Sequence, residues 1–257
     1  MNPISRKERD WSEIEAKTLE LYKQNVEIKK ISALLQVSKD YPTSVARKYG
    51  IMRGSGRKSD VPDSIFDLGT PVSEYWLGYI ISDGNITCKE RQHNIMIASV
   101  DDDIIRKFMD YVPNANLHVR KSNLKTVYFG SKSIVNRLIE MGITPKKSLT
   151  IKLNFELTGH VLRGIFDGNG NIKKNANCCK ITMGSYFLST QISEFLSRQG
   201  IYSAVRKRKD SNCYDVHVER KLDFIKLYNL LYSESTPDTR MDRKYLKYTE
   251  KINYLLN

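Results

Sequence analysis

No apolar run in this sequence approaches the roughly 18 residues that a membrane-spanning helix needs, which argues against a helical membrane protein. The opening stretch MNPISRKERDWSEIEAK carries no apolar core of the signal-peptide kind, so export is not expected. Cysteine is sparse: Cys88, Cys178, Cys179 and Cys213 form no CxxC pair, and the adjacent Cys178 and Cys179 would point to opposite faces of a strand. A zinc module and a disulfide scaffold are both disfavoured, and reduced thiols in an intracellular protein are expected, in the cytoplasm of a prokaryote or a phage-infected cell, with an organelle as the alternative. Histidine is scattered too. His93, His118, His160 and His217 have no metal-ligand spacing, which speaks against a histidine nuclease. Acidic residues are outnumbered 29 to 42 by lysine and arginine, giving a net charge of +13 and a pI near 9.4. Such an excess calls for a polyanionic partner, and without membrane features that partner is nucleic acid. With 257 residues, 40% of them hydrophobic, the chain can bury one large core beside a small module.

The small module is expected over residues 1–53. WSEIEAKTLELYKQN reads as a helix with Ser12 as N-cap and Glu15 three residues on, a capping-box pattern. Ile14, Thr18, Leu19 and Tyr22 recur at helical spacing. EIKKISALLQVS is a second short helix, and KDYPTSVARKYGI a third, with Pro42 confined to its start. Three short helices with a tight turn before the last follow the helix-turn-helix plan, which offers Thr43, Ser44, Arg47 and Lys48 to a DNA groove. Residues 54–70 read as a basic flexible linker around RGSGRKSDVPDS, and Arg53, Arg57 and Lys58 are expected to track the backbone of the duplex.

From residue 71 to 257 the chain repeats itself. The stretch LGYIISDG is followed by strand-like NITCK and NIMIASV, the helix DDDIIRKFMDYV, strands NLHVRK and KTVYFGS, and the helix KSIVNRLIEMG. After LRGIFDGNG the order recurs: NIKK, CCKITMGS, the helix YFLSTQISEFLSRQG, strands SAVRKRK and CYDVHVE, and the helix KLDFIKLYNLLYS. The expected fold class is α+β: two αββαββα halves, about 71–150 and 155–257, related by a pseudo-twofold within a monomer. Gly78 and Ser82, like Gly164 and Gly168, are four residues apart and share a helical face. Small residues there let two helices approach closely, which brings Asp83 and Asn169 side by side at the helix ends. Paired oxygen side chains at such a point suit a divalent metal, usually Mg²⁺, and a metal beside a phosphate suits phosphodiester hydrolysis.

WLGYIISDG and LRGIFDGNG resemble the two motifs of the LAGLIDADG homing endonucleases, over roughly residues 70–250, with LIEMGITPKKSLTI between them in further support. The resemblance implies a saddle of antiparallel strands along the major groove of double-stranded DNA, with metal-dependent cutting across the minor groove. Mg²⁺ is the implied cofactor, with Mn²⁺ or Ca²⁺ able to take its place. By position Asp83 matches the metal-binding Asp of the first motif, and Asn169 stands where the family usually has Asp. The protein is therefore expected to be a strand nickase or a cleavage-impaired form. Asp167 matches a motif position that caps or packs rather than binding metal. The carbonyls of Ser82 and Gly168 are implied as further ligands, and Lys147 and Lys244 as the basic residues near the scissile phosphate. Base readout is expected from His118, Arg120 and Lys125 in the first half. In the second half it is expected from Arg206, Arg208, Tyr214 and His217, with Lys207 and Lys209 on the opposite pleat or at the hairpin tip. The substitution at Asn169 also admits a DNA-binding regulator, or an intron RNA splicing maturase, that kept the saddle and lost the chemistry.

Overall fold

The computed structural model describes residues 10–24, 26–51, 61–90, 92–173 and 178–256. Contacts divide the chain into two compact units, Met1–Arg57 and Lys58–Asn257. Arg53, Arg57 and Lys58 lie outside the described residues.

The first unit holds α1 (Trp11–Lys23), α2 (Ile28–Leu34) and α3 (Tyr41–Lys48). They close over Tyr22, Ile31 and Ala46, while Thr18 turns its hydroxyl back to the carbonyl of Ile14. The N-cap of α1 is Asp10, not Ser12: its carboxylate accepts from the amides of Ser12 at 2.9 Å and Glu13 at 3.2 Å. A charged acceptor at the positive end of the helix outcompetes a hydroxyl. Glu15, freed from a capping box, receives Lys48 at 2.7 Å and so ties the end of α3 to α1. Pro42 sits in the first turn of α3, where its missing N–H costs nothing.

The second unit is the duplicated fold. Its first half runs α4 (Pro71–Asp83), β1 (Gly84–Lys89), β2 (Gln92–Ser99), α5 (Asp102–Tyr111), β3 (Asn116–Val119), β4 (Lys125–Gly130) and α6 (Lys132–Glu140). The second half runs α7 (Gly159–Asn169), β5 (Gly170–Ile172), β6 (Cys179–Met183), α8 (Tyr186–Arg198), β7 (Ala204–Lys207), β8 (Tyr214–Val218) and α9 (Lys221–Tyr232), followed by α10 (Asp242–Leu256). Each half forms a four-stranded antiparallel sheet in the same order, β1-β2-β4-β3 and β5-β6-β8-β7. One face of each sheet is apolar, through Ile95, Ile97, Val127 and Phe129 in the first and Ile181, Val216 and Val218 in the second, all buried. These faces pack on the helices and leave the other face open.

Residues 61–70, expected as the end of a linker, belong to this core instead. Val61, Ile65 and Phe66 are buried in it, Tyr111 donates to the carbonyl of Ile65, and Arg137 donates to Asp67 at 3.0 Å. The glycine and charge content of the preceding stretch masked three apolar anchors. Among the described residues no helix is long and apolar enough to cross a membrane.

Candidate functional site

Helices α4 and α7 pack along their small residues. A methyl group on Gly78 would collide with the carbonyl oxygen of Val161, and one on Gly164 with the carbonyl of Tyr75. At the same interface a methyl on Gly168 would strike the Ser82 side chain and come 3.2 Å from the carboxyl carbon of Asp83. Asp83 therefore abuts the residue just before Asn169, and the two motif helices end together. Both chains turn directly into strands there, at Gly84 and Gly170.

The pairing is pinned by Asp167, which is fully buried. Its carboxylate accepts from Tyr75 on α4 at 3.0 Å, from Tyr232 on α9 at 3.1 Å, and from the amide of Met241 at 2.6 Å. Burial pushes this acid up to about 6 despite the three donors and the nearby Lys244. Asp167 packs and holds, as its motif position implied. Beside it Arg163 donates to the carbonyls of Thr239 and Leu231 at 2.6 and 2.9 Å.

The ends of the two helices each receive a buried lysine. Lys147 lies in a 3-10 turn after α6 and donates to the carbonyl of Gly84. Lys244, on α10, donates to the carbonyls of Phe166 at 2.8 Å and Gly168 at 3.1 Å. Both sit where helix dipoles leave partial negative charge. Burial drives each ammonium down to about 8, and Asp83 opposes that drop in both, joined at Lys244 by Asp167 and Asp101. Asp83 itself touches water at the helix terminus but has protein on its other sides, and this raises its acid; the charges of Lys244 and Lys147 and the neighbouring Tyr79 hydroxyl oppose the rise. Tyr79, which sequence reasoning missed, is buried one turn before Asp83, and its hydroxyl faces the Asp83 carboxylate and the Ser99 side chain. Its place at i−4 from the motif carboxylate was the available signal.

Among the described residues no group of three or more His, Cys, Asp or Glu side chains gathers as a metal centre. The donors at the helix ends are one carboxylate, one amide and backbone carbonyls. Such hard oxygens suit Mg²⁺, Mn²⁺ or Ca²⁺, and Mg²⁺ commonly binds through one or two carboxylates with waters and substrate phosphates completing the shell. The set fits an ion held jointly with a phosphate rather than a closed cage. Asn169 turns its amide nitrogen toward the sulfur of Met183 at 3.5 Å, which leaves its oxygen as the available donor. The Ser82 hydroxyl donates within its own helix to the backbone carbonyl of Tyr79 at 3.0 Å. The Gly168 carbonyl is engaged by Lys244.

The expected DNA-contacting residues divide into several groups. His118 is exposed on the open face of the first sheet, opposite Thr126, and Arg120 is exposed in the adjoining hairpin. Lys125 is a correction: it shares a pleat with Val127 and Phe129 and pairs with Asp102 at the start of α5, on the helix side of the sheet. Tyr214 is another. It lies opposite Lys207 and Met183, on the pleat of the buried Val216 and Val218, and its ring packs on Tyr186 at 5.2 Å. Arg206 and Arg208 are exposed but paired, with Glu219 at 2.7 Å and Asp215 at 3.0 Å. His217 is half-buried on the same open face, and burial lowers its basicity. Lys207 and Lys209 are exposed toward the hairpin tip. In the first unit Ser44, Arg47 and Lys48 are exposed and Thr43 is half-buried, with Lys48 committed to Glu15. Sequence reasoning also missed the acids Asp215 and Glu219, although both stand within the segment that supplied the basic residues.

Residues 156–233 match the LAGLIDADG-like domain. The fold is similar to that of the homing endonuclease I-DmoI. One structure of I-DmoI in complex with DNA and Ca is 16% identical, covers 69% of this chain and 97% of that chain, and has a TM-score of 0.52. A structure of mesophilic variants of I-DmoI is 16% identical, covers 64% and 97%, and has a TM-score of 0.50. The N-terminal LAGLIDADG domain of WhiA is 15% identical, covers 72% and 94%, and has a TM-score of 0.47. No curated protein matches the chain significantly in sequence.

Proposed function

We propose that this LAGLIDADG-like chain is a site-specific, double-stranded-DNA endonuclease of the homing type that works with a divalent cation, and that Asn169 makes it a strand nickase or a cleavage-impaired form. The observation that carries this reading is the convergence of Asp83 with two buried lysines at the joined ends of α4 and α7. The net charge of +13 and the two open sheet faces accord with a long polyanionic partner.

Asp83 is the carboxylate that would hold the cation, with the Asn169 oxygen and the carbonyls of Ser82 and Gly168 as neutral donors. When bound, the cation neutralises phosphate charge and lowers the pKa of a water so that it attacks at neutral pH. Lys147 and Lys244 hold positive charge where the phosphate charge develops. With pKa values near 8 they also sit close to working pH, where a group both gives and takes a proton. The Gly168 carbonyl keeps a second lone pair for a ligand beside the Lys244 contact. Asn169 offers an oxygen without charge, so the half of the centre that depends on it holds its ion less well. The first unit adds a tethered second DNA contact through Ser44 and Arg47, the chain acts as a monomer with an internal pseudo-twofold, and the setting is intracellular.

A second reading keeps the saddle without the chemistry, as a DNA-binding regulator or an intron RNA splicing maturase, and Asn169 is the observation that favours it. Duplexes selected for binding from randomised DNA, then placed in a plasmid and incubated with Mg²⁺, decide between them. Relaxation of the plasmid supports the nuclease, and tight binding with no nick supports the second reading.

A further inference from the structure

The open face of the second sheet holds a cluster of charges whose arrangement sorts its arginines. Asp215, on β8, is 5% exposed, and its carboxylate accepts from both neighbouring strands. The Nε of Arg208 reaches its two oxygens at 3.1 and 3.0 Å, the Nζ of Lys180 comes within 2.9 Å, and the Thr182 hydroxyl within 2.6 Å. Burial alone would raise this acid, but the hydrogen bonds from Arg208, Lys180 and Thr182 outweigh it and hold the carboxyl down at about 2. A negative charge is thus fixed in the floor of a basic face.

Arg208 is held by one edge. Its Nε is on Asp215 and its Nη2 donates to Thr182 at 3.1 Å, which leaves Nη1 and the second Nη2 hydrogen at the tip of the planar group. Arg206 is held the opposite way. Its Nη1 and Nη2 donate to the two oxygens of Glu219 at 2.8 and 2.7 Å, so its tip is taken. Lys180 spends one of three donors on Asp215. A free arginine tip matches O6 and N7 of guanine, the commonest specific contact in the major groove, and lysine serves the same pair of acceptors. The first sheet differs. Its open face carries Asn85, Thr87, Asn94 and Tyr128 together with Lys89 and His118, and among the described residues no acid holds either cation there.

We propose that Asp215 is a positioning residue that presents the tip of Arg208, with Lys180 beside it, to guanine in the half-site lying on the second sheet, and that Arg206 reads no base while Glu219 holds it. The proposal rests on the DNA reading above and adds which bases one half prefers and which residue enforces that.

Selection of binding duplexes from randomised DNA by the full chain, without divalent metal, tests it. Wild-type protein should enrich guanine at one fixed position of one half-site. Arg208→Ala should lower that preference by about 5- to 150-fold, the equivalent of 1–3 kcal/mol for a bidentate base contact, with the other positions unchanged. Asp215→Asn should lower the preference at the same position although Arg208 is intact, with thermal melting beside the wild type to confirm that the variant folds. Arg208→Lys should retain affinity and weaken the preference without abolishing it, because the charge and a donor to guanine survive and the planar fork that Asp215 orients does not. Arg206→Ala should weaken all sequences alike. An enriched guanine that survives Arg208→Ala, or uniform weakening with the preference intact, overturns the proposal and leaves the DNA reading standing. Failure of the wild type to enrich any duplex overturns the DNA reading itself.

Discussion

Lys244 donates to the carbonyl oxygen of Gly168 at 3.1 Å, so a lysine from the last helix closes the end of the second motif helix. Lys147 does the same for the first motif helix at Gly84. The pseudo-twofold thus extends beyond the paired helices to the two cations that cap them, although one cation comes from a short turn and the other from α10, which has no counterpart in the first half.

The close approach of α4 and α7 predicts a sharp contrast between two glycines of the same helix. Gly164→Ala should destabilise the fold by about 1–3 kcal/mol or more, because the new methyl meets backbone that cannot swing aside. Gly159→Ala, whose methyl would lie 3.2 Å from the Leu230 carbonyl, should cost much less. Equal melting temperatures for the two variants would contradict the helix pairing.

Asp167 predicts that an isosteric change is not conservative. Three donors converge on its two oxygens, and the amide nitrogen of an asparagine would face a donor with a donor. Asp167→Asn should therefore lose about 1–3 kcal/mol in urea unfolding. An unchanged midpoint would show that the network is slack.

The core membership of Val61, Ile65 and Phe66 predicts where the chain can be cut. A protein beginning at Lys58 should melt cooperatively, with its circular dichroism little changed apart from the lost helices. One beginning at Pro71 should be less stable, since loss of a buried phenylalanine alone costs about 3–5 kcal/mol. Equal stability of the two would return residues 61–70 to the linker.

Asp215 predicts an acid limb in stability. Its folded pKa, about 2, lies below the ordinary carboxylate value of 3.8, so its contribution is present above pH 4 and is lost as pH falls toward 2. The stability difference between wild type and Asp215→Asn should be at most about 2 kcal/mol at pH 7 and shrink as the pH falls through that window. A difference independent of pH would mean that the carboxylate is not held by Arg208 and Lys180.

The element order, both repeats and the small-residue strip were legible from the sequence because they rest on local periodicity. The pleat of Lys125 was legible too: it has the parity of Val127 and Phe129, as Tyr214 has that of Val216 and Val218, and the core face claims every residue of that parity. The fate of Lys147 and Lys244 was not. Their burial depends on carbonyls at Gly84, Phe166 and Gly168, 63 to 78 residues away, and no local pattern encodes such a partner. The pairing of Arg206 and Arg208 was hidden for a related reason: charge counting sees two cations, whereas the strand register sets an acid within reach of each.

The central claim, one cation-dependent centre shared by Asp83 and Asn169, is tested most directly by exchanging the two side chains and assaying a plasmid carrying the selected site with Mg²⁺. Asp83→Asn should abolish all cutting, because no carboxylate remains at the helix ends to hold the ion. The unaltered protein should nick one strand or cut slowly, and Asn169→Asp should raise double-strand cutting. Fresh protein of verified mass is required, since the Asn169-Gly170 pair can deamidate to the acid. If Asn169→Asp binds the site normally and leaves the plasmid supercoiled, the shared centre is refuted and the chain is a binding module.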